Sequence, residues 1–156
     1  MPKDTSAPNE PVRLRVVLSI AAGLLAEVFT IAAVLAVILI HGVVARGESP
    51  EATRAFLATA PAIVGPVCGV IFTFLMSLWV VRRAKGRYMA HALLVAAGAV
   101  VVHVLTSLPA PGGYHMVHLV ADLLKVVAAM VAALLVERRM EPGRGTRDVG
   151  RAERGA

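Results

Sequence analysis

The chain is short of most of what builds a water-soluble domain or a recognisable enzyme. It has one cysteine in 156 residues, Cys68, which excludes an internal disulfide and any multi-cysteine metal centre. The neighbours of Cys68 are aliphatic, proline or glycine, so it reads as a small packing residue rather than a nucleophile. Aromatic residues make up only 4%, leaving little to stack on a haem or a nucleobase. Charged residues make up 17%, against about 25% in a typical soluble domain, and most lie in three short clusters. No nucleophile elbow, P-loop, zinc-protease helix motif or dinucleotide fingerprint is present. No repeat of solenoid length is evident. Acid is scarcer than base, giving a net charge of +6. That balance would suit nucleic acid, but the basic residues flank apolar segments and read as topology signals instead. No nucleic-acid partner is expected.

What is there in quantity is aliphatic sequence. The chain is 58% hydrophobic with a mean hydropathy of +0.75. Four apolar stretches are long enough to cross a bilayer: about 16–40, 58–81, 88–108 and 114–136. The expected fold class is all-α, a polytopic membrane protein with four transmembrane helices in an antiparallel bundle. Residues 1–12, with Pro2, Pro8 and Pro11, read as a disordered tail, and 138–156 as a disordered basic tail; 13–137 form the membrane domain. The first run is 25 residues long, too long for a signal-peptide core of about 7–15 residues, so it reads as a retained span.

The connections are short. His41 to Leu57 reads as a loop in which Pro50 suits the first turn of a short helix. Residues 82–87 form a tight basic loop, and 109–113 a turn without charge. In the second span Pro61 falls in the first turn and Pro66 inside, where it should kink the helix and free a carbonyl. Gly65 and Gly69 form a small-residue pair that permits close helix approach. Trp79 suits an interface anchor.

Orientation follows from lysine and arginine. With four spans, Lys3, Arg13, Arg15, the four basic residues of 82–87 and six tail arginines share one side, and the other carries only Arg46 and Arg54. Both termini are therefore expected in the cytoplasm, and the protein in the cytoplasmic membrane of a bacterium. Its partners are the lipid bilayer and, by its small-residue faces, a homo-oligomer or a larger membrane complex.

Three charges break the apolar runs. Glu27 lies inside the first, Asp122 and Lys125 inside the fourth. An ionisable group at that depth costs at least ~2.5–3.5 kcal/mol, so it turns inward and finds a partner. At ~100° per residue, His115, His118, Asp122 and Lys125 share an arc of ~80°, as do Ser19, Gly23, Glu27 and Thr30. Glu27 lies 11 residues from Val16, and Lys125 lies 11 residues from Val136; each is thus ~16 Å from the same membrane face. Lys125 has two candidate partners, Asp122 on its own helix and Glu27 across the bundle. The expected buried polar network is Glu27, Thr30, Asp122 and Lys125, with helices one and four as ring neighbours.

Three readings of that network are open at this point. It locks helix register, as buried ion pairs do; it binds and moves a proton or ion; or it serves a redox or metal cofactor. For the last, His103, His118 and Asp122 are the candidate metal ligands, and a haem between His103 and His118 is a further alternative. His91 lies about 120° round the helix from His103 and does not join them. Thr73 and Ser77, four apart, are suited to hydrogen-bond backbone. No catalytic residue is assigned, and a non-enzymatic role is favoured.

Overall fold

The structure is a computed structural model and describes residues 12–84, 86–108 and 115–140. It is all-helical: α1 is Val12–Val44, α2 Pro50–Arg83, α3 Tyr88–Ser107 and α4 Met116–Met140. All four helices are long and apolar enough to cross a membrane. The 20 residues of α3 span ~30 Å, the thickness of a hydrocarbon core. The 33 of α1 and 34 of α2 extend beyond it.

The expected loop at 41–57 is shorter than the sequence suggests. Helix α1 continues to Val44 and α2 begins at Pro50. Ser49 caps α2, its Oγ accepting the Ala52 N–H at 3.3 Å, and Pro50 occupies a first-turn position where its missing N–H costs nothing. Pro61 therefore lies well inside α2, not in its first turn. The His41 ring stacks on Phe56 at 3.6 Å and 9°, and its Nε2 lies 3.5 Å from Glu48. These contacts tie the two helix ends together. At the other end, α2 and α3 join through a turn in which Gly86 takes φ 101° and Arg87 φ 51°. Residues 1–11 and 141–156 and the turn at 109–113 lie outside the described residues, although Val12 and residues 138–140 are helical.

Helix α1 packs on α2 and α3, and α4 packs on the same two. The α1 and α4 backbones do not approach each other, so the ring order is α1, α2, α4, α3. The expectation that α1 and α4 are ring neighbours is therefore not met; they face each other across the bundle. The reason lies in glycine. A Cβ on Gly23 would run into the Val95 carbonyl oxygen and lie 2.9 Å from the Ala99 nitrogen. One on Gly98 would lie 2.8 Å from the Ile20 carbonyl oxygen. Two bare backbone faces thus meet between α1 and α3, which places α3 in the position beside α1. By contrast, a Cβ on Gly65 would meet only Val34 at 4.0 Å. Close helix approach comes from Gly23 and Gly98, not from the Gly65/Gly69 pair.

The interior is made of small residues. Ala26, Ala92, Ala99, Ala129, Ala132 and Ala133 are fully buried. The large aliphatics point outward: Leu39 is 70% exposed and Leu105 63%, while Lys125 is 1% exposed. In water this arrangement would forgo the burial of large side chains, worth ~1.5–3 kcal/mol each. In lipid the outward chains are solvated, and association relies on close packing of small residues and internal polar contacts.

Gly23 gives a sign test of this packing. Gly23→Ala should lower stability by ~1–3 kcal/mol through overpacking, although alanine is the better helix former. Gly42, which has open space around its Cβ position, should gain up to ~1 kcal/mol as Gly42→Ala. Thermal unfolding in mild detergent reads both; a stabilising Gly23→Ala would contradict the close α1–α3 approach.

Candidate functional site

Five side chains from three helices form one connected polar chain. The Lys125 Nζ donates to Glu27 Oε2 at 3.0 Å and lies 3.3 Å from Asp122 Oδ1. Asp122 Oδ1 lies 2.6 Å from His103 Nδ1. The other nitrogen of that ring, Nε2, lies 3.3 Å from His118 Nδ1. The His115 ring stands beyond His118, centroid to centroid 6.3 Å and 20° from parallel. The chain therefore runs from the middle of α1 and α4 toward the end that holds the α1–α2 connection.

The two long-range contacts have distinct causes. Lys125 reaches Glu27 across the full diagonal of the ring because α2 carries no side chain at Gly69. A Cβ there would sit 2.7 Å from Lys125 Cε and 3.5 Å from Nζ. The lysine stem lies in that notch, and its head emerges against α1. Asp122 and Lys125, three apart, present their heads on one face of α4. Helix α3 meets the Asp122 end of that face, which brings His103 into contact.

The chain borders a cavity of about 480 Å³, within the range of small-ligand sites. Glu27, Lys125, His103, His115 and His118 line it on one side, and Ile31, Val34 and Leu35 give it an aliphatic wall. Ala62 and Pro66 also border it. Pro66 lacks the N–H that the Ala62 carbonyl would otherwise accept within the helix.

Thr30 is buried, but its hydroxyl donates to the Ala26 carbonyl at 3.0 Å. It borders the network without a hydrogen bond to Glu27 or Lys125. His103, His118 and Asp122 lie together, but not as three ligands around one point. Asp122 occupies one edge of the His103 ring and His118 the opposite edge. Among the described residues no group of three His, Cys, Asp or Glu side chains is placed to hold a metal ion. A haem ligated from both faces would require the two imidazoles to stand on opposite sides of a macrocycle. Here His103 and His118 touch each other at 3.3 Å, with rings inclined 62°.

Two features escaped sequence reasoning. His91 is buried and its Nδ1 lies 3.0 Å from Ser19 Oγ, which also donates to the Arg15 carbonyl. Ser19 was legible on the polar face of α1; its pairing with α3 required knowing that these helices are neighbours. Thr73 and Ser77, expected to hydrogen-bond backbone, are fully buried and have no hydrogen-bond partner among the described residues. Trp79 carries the Arg83 guanidinium 4.1 Å above its ring, a cation–π contact near the end of α2.

No family model, curated protein or solved structure matches this chain. The site's chemistry therefore rests on its geometry.

The energetics of the ion pairs are asymmetric. Lys125→Met strands Glu27 and leaves Asp122 with His103, and should cost ~3–5 kcal/mol. Glu27→Gln leaves Lys125 with Asp122 and should cost less. The double variant should be milder than Lys125→Met alone, because it leaves only one carboxylate, itself beside His103. Unfolding curves in detergent for the three variants check this order, and equal losses for both single variants would contradict it.

Proposed function

We propose that this is a four-span protein of the cytoplasmic membrane, its helices antiparallel and both termini cytoplasmic, whose buried network binds and relays a proton. The topology rests on the thirteen basic residues on one side against Arg46 and Arg54 on the other. Contact order fits the antiparallel arrangement. Phe29 meets Phe72 and His41 meets Phe56, so α1 and α2 run in opposite senses. On this reading the end with the α1–α2 connection faces outward and the α2–α3 turn faces the cytoplasm.

The single observation that carries the relay is continuity. Every link from His118 through His103, Asp122 and Lys125 to Glu27 is 3.3 Å or shorter. Two carboxylates against one ammonium leave one negative charge, which low-dielectric surroundings penalise. One additional proton on the His103–His118 pair closes the balance, with the imidazolium against Asp122. The histidines sit at the cavity wall, where that proton can enter or leave; Lys125 and Glu27 hold the deep end. A register lock alone would need Glu27 and Lys125, but not the two imidazoles that extend the chain outward.

Single cysteines placed in a Cys68→Ser background test the topology. Positions in 46–54 should react with an impermeant reagent added outside the cell, and positions in 82–87 should not; the reverse pattern would overturn the orientation. The relay is tested by ¹⁵N NMR of the histidine side chains. Asp122→Asn should shift the ring-nitrogen signals of both His103 and His118, because the two rings are in contact at 3.3 Å. A change confined to His103 would sink the relay.

A further inference from the structure

The relay ends at Lys125 and Glu27, partway through the membrane. On its cytoplasmic side α2 places Thr73 and Ser77, both fully buried and without a hydrogen-bond partner among the described residues. Four other span hydroxyls behave differently. Ser19, Thr30, Thr59 and Thr106 each turn back onto the carbonyl four residues earlier. That acceptor is ordinarily within reach of any helical serine or threonine. Thr73 and Ser77 instead hold their hydroxyls in the bundle interior, where an unmet polar group is costly.

Their positions continue the relay. Gly69, beneath the Lys125 side chain, Thr73 and Ser77 follow one another at four-residue steps on one face of α2. Each step rises ~6 Å, beyond the reach of one water and bridged by two waters through three hydrogen bonds of ~2.8 Å. Toward the cytoplasm stands the Ser19–His91 pair at 3.0 Å. Arg15 and His91 border a hollow of about 20 Å³ with Val80, Arg83 and Ala84, room for about one water. Beside this last step lies the buried aliphatic cluster Ala22, Val80 and Val95.

Building on the relay reading, we infer that the protein conducts protons across the membrane. The path runs from His118 to Glu27, then along waters ordered by Thr73 and Ser77, to the Ser19–His91 pair. Each step breaks one O–H or N–H bond and forms another, so the net change is one proton moved and no co-reactant is needed. The column suits a proton and not a metal cation. A hard cation needs several oxygen ligands at one point, and α2 offers a single hydroxyl at each level.

The experiment uses the full chain in liposomes with an entrapped pH dye and a valinomycin-set potassium diffusion potential. The unsubstituted protein should carry voltage-driven proton flux above that of protein-free liposomes. Thr73→Val and Ser77→Ala should each lower it about tenfold, the weight of one hydrogen bond in a transfer path. Thr73→Ser should retain it. Replacing an unpartnered hydroxyl by an apolar group of similar size leaves folding intact or improved, so loss of flux is not loss of fold. Absence of flux in the unsubstituted protein overturns the inference. So does flux unchanged in both apolar variants, or a loss in Thr73→Ser equal to that in Thr73→Val. The response of His103 and His118 to Asp122→Asn is read separately by NMR, so the relay survives or fails on its own result.

Discussion

A lysine ammonium held inside a lipid-solvated bundle is the constraint around which the rest is arranged. Lys125 is 1% exposed, and an uncompensated charge there would outweigh any packing gain. Compensation comes from Asp122 one turn away and from Glu27 across the diagonal. The diagonal contact is accommodated by the glycine at position 69, where a Cβ would press on the lysine's Cε at 2.7 Å. It also links two helices whose backbones never meet. Asp122, shared between Lys125 and His103, then passes the consequence of that charge to α3. Helices α1, α3 and α4 are thus joined through one ion cluster, with α2 supplying the gap.

The remainder of the packing follows from what lipid does not do. With aliphatic chains as solvent, burying leucine gains little, so the interior is left to alanine, glycine, serine and short valines. Small residues bring backbones close, as at Gly23 and Gly98, and leave crevices where larger residues are missing. The cavity beside the histidines is one such crevice. It is bounded by Gly65, Pro61 and Pro66 on α2, where small or constrained residues leave the α1–α2 seam open. Small-residue packing and a polar interior are therefore two consequences of the same solvent.

Much of this was legible in the sequence. Length and aliphatic runs gave four spans, and helical periodicity gave the inward faces of α1 and α4. Depth counted along each helix put Glu27 and Lys125 at one level, and they stand 3.0 Å apart. What a single helix cannot report is which neighbour its inward face meets. The ring order depended on the match of Gly23 with Gly98, a property of two surfaces together. For the same reason the Ser19–His91 pair was invisible, and the three presumed ligands became a linear chain through both edges of one imidazole. The Gly65/Gly69 pair looked like a packing motif because glycine has the same signature whether it admits a backbone or a side chain. Helix α2 ran past the sequence-based boundary because Ser49 and Pro50 start a helix well before the hydrophobic run begins.

The arrangement separates a lock from a conduit by economy. A lock between α1 and α4 is complete with Glu27, Lys125 and Gly69, and every further buried polar group adds a desolvation cost. This bundle adds Asp122, His103 and His118 on one side of the pair, and Thr73, Ser77, Ser19 and His91 on the other. None of these is needed to hold Glu27 against Lys125, and two of the hydroxyls forgo the backbone acceptor available to them. Titratable side chains stand on both sides of the pair, His103 and His118 on one and His91 on the other, with the hydroxyls of Thr73, Ser77 and Ser19 on the His91 side. A bundle selected only for stability would fill those positions with alanine and valine, as it does elsewhere along the same helices. The polar column is therefore better explained by the proposed proton path than by a register lock alone.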